Sequence, residues 1–369
     1  PVDIVVEKQR ITAIVAVGTP GLPINERNRP SSGDRVIDAS GMTVMPGFIN
    51  THSHTTSEAK PDYDMDYVYK LWLAHGITTV RAFIGALSWT TEQADSIAAG
   101  DIAGPDILPY PYANPPGLPK VSTVKEAKQW VRSIAKAGAK GIKLFSGDPE
   151  LVRAMIEEAK VMGIPTTMHH TQIFTPKANV LDTARWGLSS MEHFWYGLPE
   201  ALFEKQRIQQ YPETHNYSNE FDRFRGAARI WAQAAPPYSP KWNAVMNELV
   251  DLDFTISPTF AVKNATRNVM AASRLEWHDQ YTTPGLWKLF TISRKSHGSF
   301  FFDWTSGDEA AAAEDYRLGM TFVNEFKNRG GRVTVGSDGG FVWCLYGFCY
   351  VKEMELLQEA GFSPLEVIR

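Results

Sequence analysis

Two histidines separated by one residue are the first side chains that could do chemistry. His52 and His54 follow the largely apolar stretch 44–51, which reads Val-Met-Pro-Gly-Phe-Ile-Asn-Thr. Because alternate side chains of a strand project from the same face, both imidazoles would point in one direction. Neutral imidazole nitrogen is a common ligand of zinc and similar cations. The pattern therefore indicates a buried strand that ends in part of a metal site.

This strand would be the first of eight short apolar runs that alternate with helical patterns. The runs span residues 44–54, 77–84, 107–112, 141–146, 165–170, 188–194, 254–260 and 333–338. Helices between successive strands are typical of parallel α/β proteins, and eight repeats predict a closed (β/α)8 barrel of the TIM type. A doubly wound open sheet is the alternative, but it does not account for eight repeats.

Helical patterns fill the intervals between the runs. Apolar stripes at helical spacing occupy residues 124–134, 151–159, 316–326 and 351–360. Four glycines follow helical stretches and precede predicted strands, where a left-handed cap is expected: Gly76, Gly138, Gly163 and Gly187. Two long segments, 197–242 and 263–315, follow the sixth and seventh runs. We expect them at the carboxyl-terminal rim, where barrel enzymes keep their active sites.

Several runs end in a residue that could bind a metal or move a proton. Besides the first pair, these are Lys143 in the fourth run, His169 and His170 in the fifth, His193 in the sixth and Asp338 in the eighth. The carboxyl ends of barrel strands converge on one mouth, so these side chains would meet in one cavity. Imidazoles and a carboxylate collected there predict a metal site or a catalytic cluster.

This set of residues resembles the amidohydrolase superfamily, in its binuclear branch. That family has a His-x-His pair on the first strand, a lysine on the fourth, histidines on the fifth and sixth, and an aspartate on the eighth. Every one of these positions is filled here, and the stretches Pro-Gly-Phe-Ile at 46–49 and Gly-Ile-Thr-Thr-Val at 76–80 are similar too. Asn50 departs from the pattern, because many members have aspartate there. The resemblance implies a barrel in residues 44–369 and an incomplete portion of a small β-sandwich in residues 1–43.

The resemblance also implies two divalent metal ions, with zinc as the expected metal, and a role for each residue. The more buried ion would be held by His52, His54 and Asp338, and the second by His169 and His193. Lys143 would be carboxylated, because an anionic carbamate can bridge two cations that an ammonium group would repel. Asp338 would be catalytic as well, taking a proton from the bridging hydroxide or water and passing it to the leaving group.

The fifth run offers two adjacent histidines for one position. Neighbouring residues of a strand face opposite ways, so only one of His169 and His170 can point into the mouth. We favour His169, which follows the apolar Met168, and keep His170 as the alternative.

Residues that follow the strand ends predict the substrate-binding surface. The candidates are Phe83, Phe145, Trp195, Tyr196 and His297. Small-ligand pockets are largely apolar, so this set favours a small-molecule substrate with an apolar or aromatic portion. The resemblance to the prolidase-like and aryl-dipeptidase-like group implies hydrolysis of an amide-type carbon–nitrogen bond. Dipeptides, N-acyl amino acids and related carbamates or ureas are the candidate substrates.

Two other functions remain open at this stage. A mononuclear deaminase of the same superfamily would tend to lack the fourth-strand lysine, so Lys143 argues against it. A non-catalytic barrel relative would be expected to have lost metal ligands, and every ligand position is filled in this sequence.

Composition restricts the partners. Of 369 residues 43% are hydrophobic, which is enough for a large core, and the formal net charge is −4. Neither nucleic acid nor a membrane is predicted as a partner, because the sequence has no basic run and no apolar stretch of bilayer length. A homo-oligomer is left open. So is the compartment, which is cytoplasmic or, if a signal peptide preceded Pro1, periplasmic or secreted.

Some polar residues near the motifs are expected to have other roles. Cys344 and Cys349 are expected to be reduced, because two cysteines in a chain of this size do not make a disulfide scaffold. Arg81, on the second strand, is expected to be a structural charge. Glu192 is expected to face away from the mouth because it adjoins His193.

Two further histidines lie in the long segments rather than at strand ends. His215 and His278 are expected to be exposed to solvent.

Overall fold

A computed structural model describes residues 1–55, 65–84, 86–113, 121–204, 209–217, 219–293 and 303–369. The chain divides into two compact units, residues 1–46 and 47–369. The strands are β1 (Val2–Glu7), β2 (Arg10–Ala16), β3 (Phe48–His54), β4 (Ile77–Ile84), β5 (Asp106–Pro111), β6 (Ile142–Phe145), β7 (Thr166–His169), β8 (Ser190–Glu192), β9 (Thr255–Ser257) and β10 (Arg332–Val333).

Helices connect the strands of the larger unit. They are α1 (Met65–Ala74), α2 (Leu87–Ala99), α3 (Val124–Lys136), α4 (Pro149–Val161), α5 (Val180–Trp186), α6 (Gly197–Ala201), α7 (Glu220–Trp231), α8 (Pro240–Asp251), α9 (Phe260–Ser273), α10 (Trp277–Tyr281), α11 (Pro284–Phe290), α12 (Ser306–Asn328), α13 (Phe348–Glu359) and α14 (Pro364–Ile368). None of these described helices combines the length and the apolar character that crossing a bilayer requires.

The smaller unit contains one β-hairpin. β1 and β2 pair antiparallel, with a register shift between Val5 and Val6. Lys8, in the turn between them, has a φ of +57°. Several apolar side chains of the hairpin are more than half exposed: Val2, Val6, Ile11 and Ile14.

The larger unit is an α/β fold with parallel sheets, as the sequence predicts. β3, β4 and β5 form one sheet, and β6 to β10 form a second in sequential order. Each of the eight predicted runs overlaps one of these strands. Hydrogen bonds also join residues at the edges of the two sheets: the Asp338 N–H donates to the His52 carbonyl (2.9 Å), and the Ala113 N–H to the Lys143 carbonyl (2.9 Å).

The local signals for helices are confirmed. The four apolar stripes lie in α3, α4, α12 and α13. The four glycines that precede strands all have positive φ: +74° at Gly76, +100° at Gly138, +70° at Gly163 and +102° at Gly187. Only glycine adopts this conformation without steric cost, so these residues stop each helix where the next strand must begin.

The cysteines form a disulfide, so the prediction that they are reduced is wrong. Cys344 and Cys349 have Cα atoms 5.3 Å apart and are joined. The chain turns at Gly347, whose φ is +75°, and this turn brings the two residues together. The bond fastens the loop that follows Asp338 to the start of α13.

A close approach between α12 and the end of β8 fixes the position of Phe194. Gly319 on α12 is buried, and a Cβ added to it would lie 2.3 Å from Cδ2 of the Phe194 ring. The ring itself is 1% exposed. The absence of a side chain at Gly319 therefore lets α12 pack directly on the residue that follows His193.

We expect Gly319→Ala to lower the free energy of unfolding by about 1–3 kcal/mol, because the added methyl group must displace the Phe194 ring or α12. Gly307→Ala is the matched control in the same helix, since its Cβ would meet nothing closer than 3.6 Å. Chemical denaturation of both variants measures the difference. Equal unfolding free energies would contradict this account of the packing.

Candidate metal centre

His52 and His54 on β3 and Asp338 beyond β10 form a buried cluster. The atoms that could bind a metal lie within 4.8 Å of one another. Oδ1 of Asp338 is 3.2 Å from Nε2 of His52 and 2.9 Å from Nε2 of His54. Both imidazoles thus direct the same ring nitrogen towards one carboxylate oxygen. This is the arrangement expected of three ligands around a shared cation.

Two further predicted ligands adjoin this cluster. Nε2 of His193 lies 3.9 Å from Oδ2 of Asp338, and the His193 ring centroid is 5.0 Å from that of His52. The ring of His169 lies 4.7 Å from that of His193. A second cation beside the first would therefore meet two more imidazoles.

His169 and His170, the two histidines of the fifth run, point in different directions, as expected for neighbouring residues of a strand. His169 faces His193, whereas the Nε2 of His170 is 3.0 Å from the hydroxyl of Thr183 on α5. His170 is 5% exposed and packs against helices rather than beside the cluster. The structure therefore brings His169, and not His170, to the other candidate ligands.

Lys143 on β6 adjoins the cluster through Phe83, and its amine is buried. Its Nζ is 4.0 Å from the centroid of the Phe83 ring, which is itself 4.6 Å from the ring of His52. The residue is 2% exposed, and its Nζ has no hydrogen-bond partner among the described residues. Burial lowers the pKa of Lys143 to about 8. Because only a neutral amine reacts with carbon dioxide, this environment fits a carboxylated lysine.

The pKa values of four candidate ligands are shifted towards the forms that bind metals. Burial lowers the pKa of His54 to about 4 and that of His169 to about 3, and it holds the pKa of His193 well below its usual value. Burial alone would raise the pKa of Asp338, but His52 and His54 hold it well below the usual range. Neutral imidazoles and an ionised carboxylate are the forms that bind metals.

Glu192 faces the cluster, so the prediction that it faces away is wrong. Its Oε2 accepts a hydrogen bond from Nδ1 of His52 (2.6 Å), and its Oε1 accepts one from Nη2 of Arg81 (2.5 Å). The Thr167 hydroxyl donates to Oε1 as well. His193 has a φ of +66°, so the chain leaves strand geometry directly after Glu192. The two neighbouring side chains therefore need not point to opposite faces.

The Glu192 carboxylate determines which nitrogen of His52 is available. Burial alone would raise the pKa of Glu192, but Arg81, Lys143 and His52 hold it well below its usual value. An ionised carboxylate only accepts hydrogen bonds, so Nδ1 of His52 carries a proton and Nε2 is the ring nitrogen that faces Asp338. Arg81 is the structural charge predicted from the sequence. A largely covered arginine on a strand needs a carboxylate partner, and that signal could have revealed Glu192.

Similar contacts fix the other side of the cluster. The Tyr112 hydroxyl is 2.7 Å from Nδ1 of His54, which leaves Nε2 of that ring to face Asp338. Asn50 is fully buried; its amide donates to the Ser337 hydroxyl (2.9 Å) and accepts from the Ser337 N–H (3.0 Å). Asn50 thus ties β3 to the residue before Asp338.

The predicted substrate-binding residues differ in what they contact. Phe83 is fully buried and meets His52 edge-on, and Trp195 stacks on the ring of His193 at 4.1 Å. Tyr196 is also buried, at 4% exposed, whereas Phe145 is 40% exposed. His297 lies outside the described residues.

The histidines of the long segments are less exposed than predicted. His278 is 1% exposed, and its ring meets that of Trp343 at 5.2 Å, so the prediction of solvent exposure is wrong for it. His215 is partly buried and stacks on Tyr211 at 4.2 Å. Contacts with neighbouring aromatic rings, which no local pattern specifies, cover both residues.

Comparison with known proteins agrees with this fold. Residues 43–217 match the model of the amidohydrolase family. This stretch, slightly less than half of the chain, is therefore similar to the amidohydrolase family.

Two solved structures show the likeness of fold. A bottromycin amidohydrolase is 19% identical, with a TM-score of 0.61 over 88% of this chain and 64% of that one. A Xaa-Pro dipeptidase is 17% identical, with a TM-score of 0.51 over 86% of this chain and 71% of that one.

A curated relative is similar over a shorter stretch. The 5'-deoxyadenosine deaminase of Methanospirillum hungatei is 33% identical over 88 residues, which are 23% of this chain and 20% of the relative. This chain therefore spans one fifth of that relative and 64% of the bottromycin amidohydrolase.

We expect Glu192→Gln to weaken zinc binding about 10–100-fold, the usual effect of losing a group that orients a histidine ligand. Glutamine keeps the size of the side chain, but its amide group is uncharged and has one acceptor oxygen. It therefore cannot accept hydrogen bonds from both His52 and Arg81 as the carboxylate does. Competition with a chromophoric chelator measures the affinity.

Glu158→Gln is the matched control for this variant. Glu158 on α4 is also buried, at 4% exposed, and also pairs with an arginine, since Nε of Arg132 lies 2.6 Å from its Oε1. The control should bind zinc as the wild type does. If Glu192→Gln binds zinc equally well, the carboxylate does not orient His52 for a metal.

Proposed function

We propose that this protein is a metal-dependent hydrolase that cleaves an amide-type carbon–nitrogen bond in a small molecule. A dipeptide, an N-acyl amino acid or a related carbamate or urea is the proposed substrate class. One observation carries the proposal: the buried cluster of His52, His54 and Asp338 adjoins further buried imidazoles and the Lys143 amine, which has no hydrogen-bond partner among the described residues. Such a collection has no structural use that would offset the cost of burying it.

This set of donors suits two divalent cations, and zinc is the proposed metal. The proposed ligands are His52, His54 and Asp338 for one ion, His169 and His193 for the other, and carboxylated Lys143 for both. When bound, such a centre supplies Lewis acidity and a water acidic enough to act as a nucleophile near neutral pH.

Asp338 is the proposed proton carrier. Its carboxylate is ionised and therefore acts as a base towards the attacking water. The same group, once protonated, can deliver that proton to the leaving nitrogen, so that the product departs as a neutral amine. Asp338 lies five residues beyond the end of β10, has a φ of +50°, and its side chain contacts His52 and His54 on β3.

We also propose that the two sheets form one closed (β/α)8 barrel. The bonds from Asp338 to His52 and from Ala113 to Lys143 supply hydrogen bonds at both places where the sheets would meet. The isolated parallel bridge between Tyr112 and Lys143 supports closure at one of them.

Aromatic rings beside the cluster support an apolar or aromatic portion in the substrate. The partly exposed ring of Phe145 lies 5.5 Å from that of Tyr112 and 5.6 Å from that of His169. On the other side, Phe341 meets the ring of His54 at 5.6 Å. Apolar walls around a few polar groups are typical of small-ligand sites.

A deaminase of the same superfamily is the second candidate, because the curated relative over 88 residues is a deaminase. Zinc-loaded protein incubated with dipeptides, N-acyl amino acids, aryl ureas and 5'-deoxyadenosine separates the two. We expect an amine and an acid from one of the amide-type substrates and no reaction with Asp338→Asn. Release of ammonia from 5'-deoxyadenosine, without hydrolysis of any amide, would contradict the hydrolase proposal and support the deaminase.

We expect Lys143→Ala to lose one of the two proposed ions and most of the activity, because the bridging carbamate is removed. Added acetate or propionate should restore part of both by supplying a carboxylate in the same place. Metal content by inductively coupled plasma mass spectrometry and product formation are the measurements.

Lys140→Ala is the control, since Lys140 is an exposed lysine three residues earlier. It should keep its metal and its activity. Full metal content and full activity in Lys143→Ala would show that the lysine does not bridge the ions.

A further inference from the structure

Thr259, between β9 and α9, has a backbone conformation that threonine rarely adopts. Its φ is +51° and its ψ is +49°, in the left-handed region. A β-branched residue is an outlier there, and glycine would fit with less strain. The residue is also fully buried. A threonine at this position therefore calls for a use of its side chain.

The Thr259 hydroxyl contacts a proposed metal ligand. Its Oγ1 lies 2.5 Å from Nδ1 of His193 and 2.8 Å from the carbonyl oxygen of Pro258. A hydroxyl has one proton, and a carbonyl can only accept, so that proton goes to Pro258. The Thr259 oxygen must then accept the proton carried by Nδ1 of His193. This leaves the lone pair of His193 on Nε2, the nitrogen that faces Asp338.

The stacking of Trp195 on the His193 ring does not distinguish the two ring nitrogens. Trp195 stacks on it with ring planes 11° apart, which fixes the plane of the imidazole. A ring turned over by half a rotation would stack equally well. The hydrogen bond to Thr259 is thus the contact that sets which nitrogen faces the metal position.

Thr259 is free for this bond because another residue caps α9. Threonine at the first position before a helix normally accepts a backbone N–H of the first turn, but Thr259 makes no such bond. The carboxylate of Glu353 on α13 does so instead, accepting from the N–H groups of Phe260 (2.9 Å) and Ala261 (2.6 Å). Glu353 is fully buried, so it has no solvent to replace these partners.

We infer that Thr259 and Glu353 are positioning residues for the second metal position: Thr259 fixes the tautomer of His193, and Glu353 caps α9 in its place. The inference rests on the proposed function in one respect, which is the assignment of His193 as a zinc ligand.

Thr259→Val and Thr259→Ser test this inference. Valine keeps the branched shape without the hydroxyl, whereas serine keeps the hydroxyl without the methyl group. We expect the valine variant to bind the second zinc equivalent about 10–100-fold more weakly and the serine variant to bind it as the wild type does. Zinc titration against a chelator, with thermal unfolding of the metal-free proteins as a check of folding, measures this. If valine does not fold there, Thr259→Gly replaces it, since glycine accepts the left-handed φ.

The outcomes separate this inference from the proposed function. Two zinc equivalents in the wild type with unchanged affinities in the valine variant overturn the role of Thr259 and leave the hydrolase proposal standing. No zinc in the wild type overturns the hydrolase proposal. In that case 15N NMR of metal-free protein with 15N-labelled histidine still tests the hydrogen bond between His193 and Thr259. His193 should carry its proton on Nδ1 in the wild type and the serine variant, and an equal mixture of tautomers in the wild type would overturn the assignment.

Glu353→Gln tests the second half of the inference without touching a ligand. Glutamine replaces one of the two acceptor oxygens by an NH2 group, so one backbone N–H loses its acceptor and the Thr259 hydroxyl should be drawn back towards α9. Weaker binding of the second zinc is expected. Glu359→Gln on the same helix is the control, because Glu359 pairs with Arg267 outside the site. Equal zinc affinity in both variants would show that Glu353 does not position the second metal site.

Discussion

The buried carboxylate of Glu192 is the interaction on which the arrangement of the candidate site depends. A buried negative charge is costly unless it is paired and hydrogen-bonded. Here Arg81 from β4, His52 from β3 and Thr167 from β7 all direct donors to the same group on β8. Four strands therefore meet at one carboxylate. Since His52 must donate its Nδ1 proton to satisfy Glu192, the other nitrogen of that ring is left to face Asp338.

The same logic extends outwards into the helices. His193 is oriented by Thr259, whose hydroxyl is available because Glu353 on α13 caps α9. The loop before α13 carries the disulfide from Cys344 to Cys349. Elements that are distant in sequence thus determine which histidine nitrogen faces the site. The sequence around each strand end does not indicate this.

Aromatic packing explains why the imidazoles stay neutral. Phe83 lies against His54 and Trp195 against His193, and the Phe83 and Trp195 rings are almost completely buried. These rings exclude water on one side of the ligands, which disfavours the charged form of histidine. Two residues predicted to bind substrate therefore serve first as the apolar wall of the site, while Phe145, with 40% of its surface exposed, remains open to a ligand.

The sequence by itself determined the features that depend on local periodicity. The spacing of His52 and His54 places both on one strand face, the alternation of His169 and His170 separates them, and glycines such as Gly187 end helices before strands. Tertiary structure decided the rest. The left-handed φ of His193 overrides strand alternation, and so Glu192 turns inwards. Contacts between segments far apart in the chain bury His278 and bring Glu353 to α9, and no local pattern encodes such contacts.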